Sequence, residues 1–184
     1  MLKFPALALI ALMLSAPLAI AQVSIIGGGV AKDCYEAAKY QRVSASAGEK
    51  ICTKAIEAEI MNQTNKAATY TNRGVLRMRA GRLEAALSDY DIAKRLNPDE
   101  GATYLNEGAA HIMRKDYNSA MVSLNKAIEL DSHDLYAAYY NRAIAKEQTG
   151  DIQGAYFDFK RADELNPDSD LAKRQMERFQ VTTN

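Results

Sequence analysis

Apolar and small side chains recur at helical spacing through most of this chain. Over residues 67–80 they fall at Tyr70, Gly74 and Met78, positions that share one face of an α-helix. A second stretch, over 83–96, has the same period and ends before an Asn-Pro pair, which stops a helix. A glycine lies between the two stretches and suits the left-handed turn that follows a helix. The pattern therefore predicts two helices that pack together along a shared apolar stripe.

The predicted helix pair is repeated along the chain. Its last residues, Ala-Lys-Arg-Leu-Asn-Pro-Asp at 93–99, return as Ala-Ile-Glu-Leu-Asp-Ser-His at 127–133 and as Ala-Asp-Glu-Leu-Asn-Pro-Asp at 162–168. The step is 34 residues and then 35, so one residue is inserted near His133. A unit of this length cannot bury its apolar face alone and must stack on its neighbours. We therefore expect a helical solenoid, an architecture typical of recognition.

Small residues mark the contact between the two helices of each pair. Gly74, Gly108 and Ala143 occupy the same position in the three first helices, where a small side chain lets the second helix approach closely. The stretch 170–180 after the last repeat is amphipathic. It is expected to cover the apolar end of the array, as solenoids require.

The first 21 residues have the pattern of an export signal. A short basic start precedes an apolar run over 4–21, which ends in Ala-Ile-Ala, and the two flanking alanines suit a signal peptidase. We expect cleavage after Ala21. A retained membrane anchor is the alternative, because a run of 18 residues is just long enough to span a bilayer. Export to the bacterial periplasm is the favoured interpretation, with no stable membrane insertion after cleavage.

The overall charge points to no charged partner. Lys and Arg number 23 and Asp and Glu number 23, so the net charge is zero. A neutral chain has no field that draws it to nucleic acid or to anionic lipid. We therefore expect no nucleic-acid function.

Cys34 and Cys52 are the two cysteines of the chain. In a reducing compartment they would be packing residues or a redox pair. In an oxidising compartment an even number favours a disulfide. Each cysteine begins a short predicted helix, and a bond between them would staple an N-terminal hairpin whose apolar set is thin. With only two histidines in the chain, no metal site is expected.

These residues together resemble the tetratricopeptide repeat family. Aromatic, small, alanine and proline positions recur in register in three units, although the second unit has Lys115 for the turn glycine and Ser132 for the proline. The export signal and paired cysteines are also similar to those of small exported tetratricopeptide proteins of Gram-negative bacteria. The resemblance implies an all-α, right-handed helical solenoid of three helix hairpins. It divides the chain into a signal peptide (1–21), a flexible leader (22–32), a degenerate N-terminal helical hairpin (33–66), three repeats within 67–169 (67–100, 101–134 and 136–169), and a C-terminal capping helix and tail (170–184).

In this family the first helix of each pair lines a concave groove. The resemblance therefore implies a mostly apolar groove with one asparagine from each repeat. The implied peptide-binding residues are Thr71, Asn72, Val75 and Met78 in the first repeat, Leu105, Asn106, Ala109 and Ile112 in the second, and Tyr140, Asn141 and Ile144 in the third.

The three groove asparagines allow two interpretations. A ladder of Asn72, Asn106 and Asn141 could hold the main chain of a bound segment, because an amide both donates and accepts. Alternatively, the amides bond backbone groups of a neighbouring helix and only order the stack, since a buried polar side chain must be satisfied either way. Met78 is interpreted first as a core filler.

One known activity of the family is not expected here. Members that grip a partner's C-terminal carboxylate use lysine and asparagine in one unit, asparagine in the next, and lysine with arginine in the third. Of the matching positions in this chain only one agrees, and it is Asn106. Those positions are Thr71 and Val75, then Asn106, then Ala137 and Asn141.

Nothing in the sequence forms a convincing catalytic set. His111 and Glu107 lie one helical turn apart, but no nucleophile is suitably spaced, and the alignment turns His111 toward the helix–helix contact. No enzyme activity and no cofactor are expected. The sequence predicts a non-catalytic periplasmic adaptor that binds a protein or peptide segment of unknown identity. The alternative is a structural or self-associating subunit of a cell-envelope complex.

Overall fold

The computed structural model describes residues 29–179 of the chain, and within this range the regular structure is entirely α-helical. Successive helices pack as antiparallel neighbours joined by short turns. The helices are α1 (Val30–Tyr40), α2 (Ala45–Ala58), α3 (Gln63–Arg79), α4 (Leu83–Leu96), α5 (Gly101–Met113), α6 (Tyr117–Glu129), α7 (Leu135–Gln148), α8 (Ile152–Leu165) and α9 (Asp170–Met176).

The predicted helical solenoid is confirmed. Helices α3 and α4, α5 and α6, and α7 and α8 form the three repeats, and each first helix also contacts the second helix of the repeat before it. Two boundaries differ from the prediction. Helix α1 begins at Val30, inside the expected leader, and α3 begins at Gln63 because the Asn62 side chain accepts a hydrogen bond from Asn65 N. The predicted signal peptide lies outside the described residues.

The turns inside the repeats share one backbone conformation. Gly81 and Gly150 have φ values of 75° and 90°, the left-handed region that glycine enters without strain. Lys115 has a φ of 62° at the same position of the second repeat. The substitution of lysine for glycine therefore keeps the geometry of the turn.

The core lies between the two helices of each pair and between neighbouring pairs. Ala86, Ala120 and Ala155 of the second helices are fully buried, and Gly74 and Gly108 of the first helices lie against Tyr90 and Leu124. A Cβ atom placed on Gly108 would lie 2.5 Å from Leu124 Cγ, so glycine is needed for this approach. The spacing of small residues thus sets how closely the helices of a pair approach.

A disulfide joins Cys34 of α1 to Cys52 of α2, as the sequence predicted for an oxidising compartment. Both residues are fully buried and form one cluster with Leu76 of α3. The side chain of Glu59 accepts hydrogen bonds from the backbone nitrogens of Val30 and Ala31, which holds the start of α1. The hairpin is therefore attached both covalently and by packing to the first repeat.

Helix α9 covers the far end of the array. Its Ala172 is buried in a cluster with Tyr140 and Phe159. Arg178 just beyond it forms an ion pair with Glu147 of α7 at 2.9 Å. No helix in residues 29–179 is long and apolar enough to cross a membrane.

Candidate functional site

The first helices of the three repeats bring the predicted groove residues onto one continuous face. Helix α5 contacts α3 on one side and α7 on the other. The Oγ1 atoms of Thr71 in α3 and Thr103 in α5 lie 2.8 Å apart and share a hydrogen bond. We call this surface of α3, α5 and α7 the first-helix face.

The apolar members of this face are enclosed, where the sequence suggested an open trough. Met78 packs in a core cluster with Tyr90, which fits the core-filler interpretation of Met78. Leu105 and Ile112 pack against Leu124 in the core between the second and third repeats. Helical periodicity could not reveal this, because it does not distinguish a side chain facing a neighbouring helix from one facing a groove. The enclosed members, each at most 9% exposed, are Val75, Met78, Leu105, Ala109, Ile112 and Tyr140, and Ile144 is partly exposed.

The asparagine ladder is the most unusual feature of the face. The side chains of Asn72, Asn106 and Asn141 are each 0% exposed. Neither the amide nitrogen nor the amide oxygen of any of the three has a hydrogen-bond partner among the described residues. The interpretation in which these amides bond a neighbouring helix is therefore not what this structure contains.

Unbonded buried amides carry a free-energy cost. Leaving a buried donor or acceptor unsatisfied costs about 1–3 kcal/mol, and most buried polar groups in proteins are paired for that reason. By contrast, Thr71 next to Asn72 is satisfied, because its hydroxyl bonds Thr103 and also donates to the Ala67 carbonyl at 3.1 Å. The cost is concentrated at the same position of all three repeats.

Arg79 adds a second unsatisfied group to the same face. Its Nη1 donates to the carbonyl oxygen of Ala38 in α1, while its Nε and Nη2 are buried with no acceptor among residues 29–179. The family resemblance implies a groove position for Arg79, although Arg79 is not among the peptide-binding residues named in the sequence analysis. The available signal was a basic residue at a first-helix position with no acidic residue one helical turn away in the sequence.

His111 lies apart from the asparagine ladder. Burial lowers the pKa of His111 below its usual 6.5, although Glu107 and Asp116 act in the opposite direction. Its Nδ1 atom is 3.6 Å from the Asp116 carboxylate, a distance too long for a hydrogen bond. Within the described range no group of three or more His, Cys, Asp or Glu side chains could hold a metal ion.

Comparison with known proteins agrees with this geometry. The family model of the tetratricopeptide repeat matches residues 102–134 and 136–169, the second and third of the three structural repeats. Residues 102–134 and 136–169 are therefore tetratricopeptide repeats. The first structural repeat of the chain, at 67–100, shares the same helix-pair arrangement and the same turn conformation.

Relatives of this protein are similar over part of their length. Human tetratricopeptide repeat protein 6 is 32% identical over 84 residues, which cover 46% of this chain and 16% of that protein. The chain therefore spans only a small part of this relative. The crystal structure of MamA has a TM-score of 0.66 at 18% identity, covering 82% of each chain. The first tetratricopeptide domain of Spaghetti, bound to the HSP90 peptide SRMEEVD, has a TM-score of 0.60 at 21% identity, covering 66% of this chain and 94% of that one.

Proposed function

We propose that this protein is a non-catalytic periplasmic adaptor that binds a protein or peptide segment along the first-helix face. Tetratricopeptide proteins mediate protein–protein interactions, and the Spaghetti domain holds a peptide on a similar fold. The observation that carries the proposal is the ladder of unpartnered amides at Asn72, Asn106 and Asn141. A bound main chain offers both a donor and an acceptor to each amide, so binding would satisfy groups that are unsatisfied in the free protein.

The proposed mode differs from the grip on a C-terminal carboxylate. That grip needs lysine side chains where this chain has Thr71 and Ala137, and an arginine where it has Asn141, so the carboxylate would find no cation there. The amides instead suit peptide groups inside a segment. Stacked first helices lie about 10 Å apart, which an extended segment spans with about three residues.

Binding at this site requires a local opening. The three amides are 0% exposed, so a segment reaches them only when the side chains that cover them move aside. Association that waits on such a change is slower than the usual range of about 10⁵–10⁷ M⁻¹s⁻¹. We expect the partner to bind slowly and to be retained once the amides are paired.

The test is to replace one asparagine of the ladder by an apolar side chain of nearly the same size and shape. We expect Asn106→Leu to stabilise the free protein by about 1–3 kcal/mol, because it removes a buried group with no partner. The same change should abolish binding, which would be measured as loss of the partner captured in cells by a photo-crosslinker at Met113. Met113 lies on the same helix as Asn106 and is 44% exposed. A crosslinker at the outward-facing Lys126 of α6 is the positional control.

The matched control variant is Asn118→Leu, which changes an exposed amide outside the first helices. It should change neither the midpoint of urea unfolding nor the amount of partner captured by the crosslinker at Met113. A loss of stability in Asn106→Leu would show that the amide orders the stack and would overturn the proposal. Capture that persists in that variant would overturn it as well.

The periplasmic part of the proposal is supported by the export pattern of residues 1–21 and by the Cys34–Cys52 disulfide, which persists in an oxidising compartment. Fractionation of cells followed by thiol labelling would test it. We expect the protein in the periplasmic fraction with both cysteines blocked to labelling until a reductant is added. Labelling without reductant would contradict it.

A second candidate function is self-association through the second helices. Val122 of α6 and Phe157 of α8 occupy the same repeat position and are 70% and 50% exposed. Two apolar side chains on adjacent outer helices could pair with those of a second copy. If so, Val122→Lys with Phe157→Lys should convert a dimer to a monomer in sedimentation, while Asn106→Leu should not.

A further inference from the structure

Buried cations in this protein generally face carboxylates. Arg73 bonds both oxygens of Asp89, and Arg142 bonds both oxygens of Asp158, with distances between 2.7 and 3.0 Å. Such pairing is expected, because a charge enclosed without an opposite charge is costly and arginine does not lose its proton in proteins.

Arg79 departs from this rule. Among the described cationic side chains it alone has buried nitrogens with no acceptor, namely Nε and Nη2. Its third guanidinium nitrogen, Nη1, is turned to the neutral carbonyl of Ala38. Burial lowers the pKa of Arg79 from its usual value, with only the Tyr90 hydroxyl acting the other way, so no carboxylate stabilises this charge. The free guanidinium edge has the fork geometry that a carboxylate occupies with two hydrogen bonds.

The position of Arg79 links it to the asparagine ladder. It follows Asn72 by seven residues in α3, two helical turns, so the two side chains project from the same side of the helix about 10.5 Å apart. Arg79 therefore stands at the end of the first-helix face that is closed by α1. A segment paired with the amides passes within reach of the guanidinium.

We infer that the segment bound on the first-helix face carries an acidic side chain, Asp or Glu, whose carboxylate pairs with Nε and Nη2 of Arg79. This inference rests on the proposed function and adds the chemistry of the partner to it. The acid lies toward the end of the segment that reaches α3, because the other amides are on α5 and α7 and α1 closes the face beyond α3. Arg79 then acts as a specificity-determining residue.

The experiment selects binders from a phage-displayed library of random segments of roughly 12 residues, long enough to span the three first helices when extended. The library is selected in parallel on the full protein, on Arg79→Gln and on Arg79→Glu. We expect acid enrichment at one segment position on the unaltered protein, no preference there on Arg79→Gln, and a switch to Lys or Arg on Arg79→Glu. An acidic segment should lose about 10- to 100-fold in affinity on Arg79→Gln.

Two controls separate this inference from the proposed function. Arg95→Gln changes an exposed arginine of α4 and should leave the acid preference intact. Because displayed segments have no free carboxyl terminus, enrichment reports on side-chain acids. Selection could instead give binders that depend on Asn106 yet show the same charge preference on the unaltered protein and on both Arg79 variants. That result would overturn the role of Arg79 and leave the proposed function standing. Absence of any Asn106-dependent binder would overturn the proposed function, while normal melting of Arg79→Gln confirms that the protein used was folded.

Discussion

The enclosed carboxylates of Asp89 and Asp158 show how charge is arranged at the scale of single residues. Each receives two cations of the preceding first helix, Arg73 with Arg77 for Asp89 and Arg142 with Lys146 for Asp158. A buried carboxylate with such partners is tolerated. When the carboxylate is removed, the cations that faced it are left buried without an opposite charge, and this destabilises the folded protein. The free energy of unfolding is therefore sensitive to single substitutions here.

Replacement of one such carboxylate gives the first prediction. Asp158→Ala leaves the partly buried charges of Arg142 and Lys146 without their partner, and we expect a loss of about 3–5 kcal/mol in the free energy of unfolding. Urea unfolding would measure it. Glu129→Ala, which breaks the exposed pair with Lys126, is the control and should give no measurable change. Equal effects of the two variants would contradict the argument.

A second prediction concerns pH. Burial holds the pKa of His111 below 6.5 in the folded protein, so the folded state favours the neutral ring. As the pH falls through about 6.5, the unfolded chain takes up a proton that the folded protein does not, and stability decreases. The decrease should be smaller in His111→Gln, compared by urea midpoints at about pH 7.5 and about pH 5.5. An identical decrease in both proteins would assign it to other groups.

At the scale of helices, the sequence predicts most of the fold because the constraint is periodic. The contact positions Gly74, Gly108 and Ala143 recur in register, and each implies a close helix approach that the structure contains. The enclosure of Ile112 could not be predicted, since it depends on the packing of α5 against α6 and α7. Whether the Asn106 amide has a hydrogen-bond partner could not be predicted from the sequence either, because only the distances to neighbouring atoms show that no partner is near.

The N-terminal hairpin provides a prediction at this scale. The disulfide closes a loop of sequence separation 18, and such a bond stabilises by about 3 kcal/mol through the unfolded chain. A reductant should therefore lower the melting temperature of the protein. The double variant Cys34→Ala with Cys52→Ala should melt at a lower temperature and should not respond to the reductant. A response in that variant would show that the reductant acts elsewhere.

At the scale of the whole molecule, the described array is closed at both ends. The hairpin of α1 and α2 covers the first repeat through Leu76, and α9 covers the last repeat through Ala172. Stacked repeats expose an apolar face at any uncovered end, so both covers contribute to solubility as well as stability. The first-helix face runs between them.

Removal of the C-terminal cover gives the last prediction. A chain that ends at Ser169 exposes the cluster around Tyr140 and Phe159 and loses the ion pair between Arg178 and Glu147. We expect the melting temperature to fall by about 5–10 °C and the truncated protein to bind a hydrophobic dye. A chain that ends at Phe179 is the control and should behave like the full protein. Unchanged melting of the shorter chain would show that α9 does not stabilise the array.

The ion pairs across the stack also bear on the order in which near-identical units assemble. Lys94 of the first repeat pairs with Glu107 of the second, which occupies the position that Arg142 holds in the third. If the third unit docked on the first during folding, Arg142 would meet Lys94, and the like charges would repel. The change in the sign of the charge at this position from one repeat to the next therefore favours the correct neighbours during folding. Deletion of residues 101–134 should give a poorly folded chain. The double change Arg142→Glu with Asp158→Ser, which copies Glu107 and its hydrogen-bond partner Ser123, should improve folding, as circular dichroism would show.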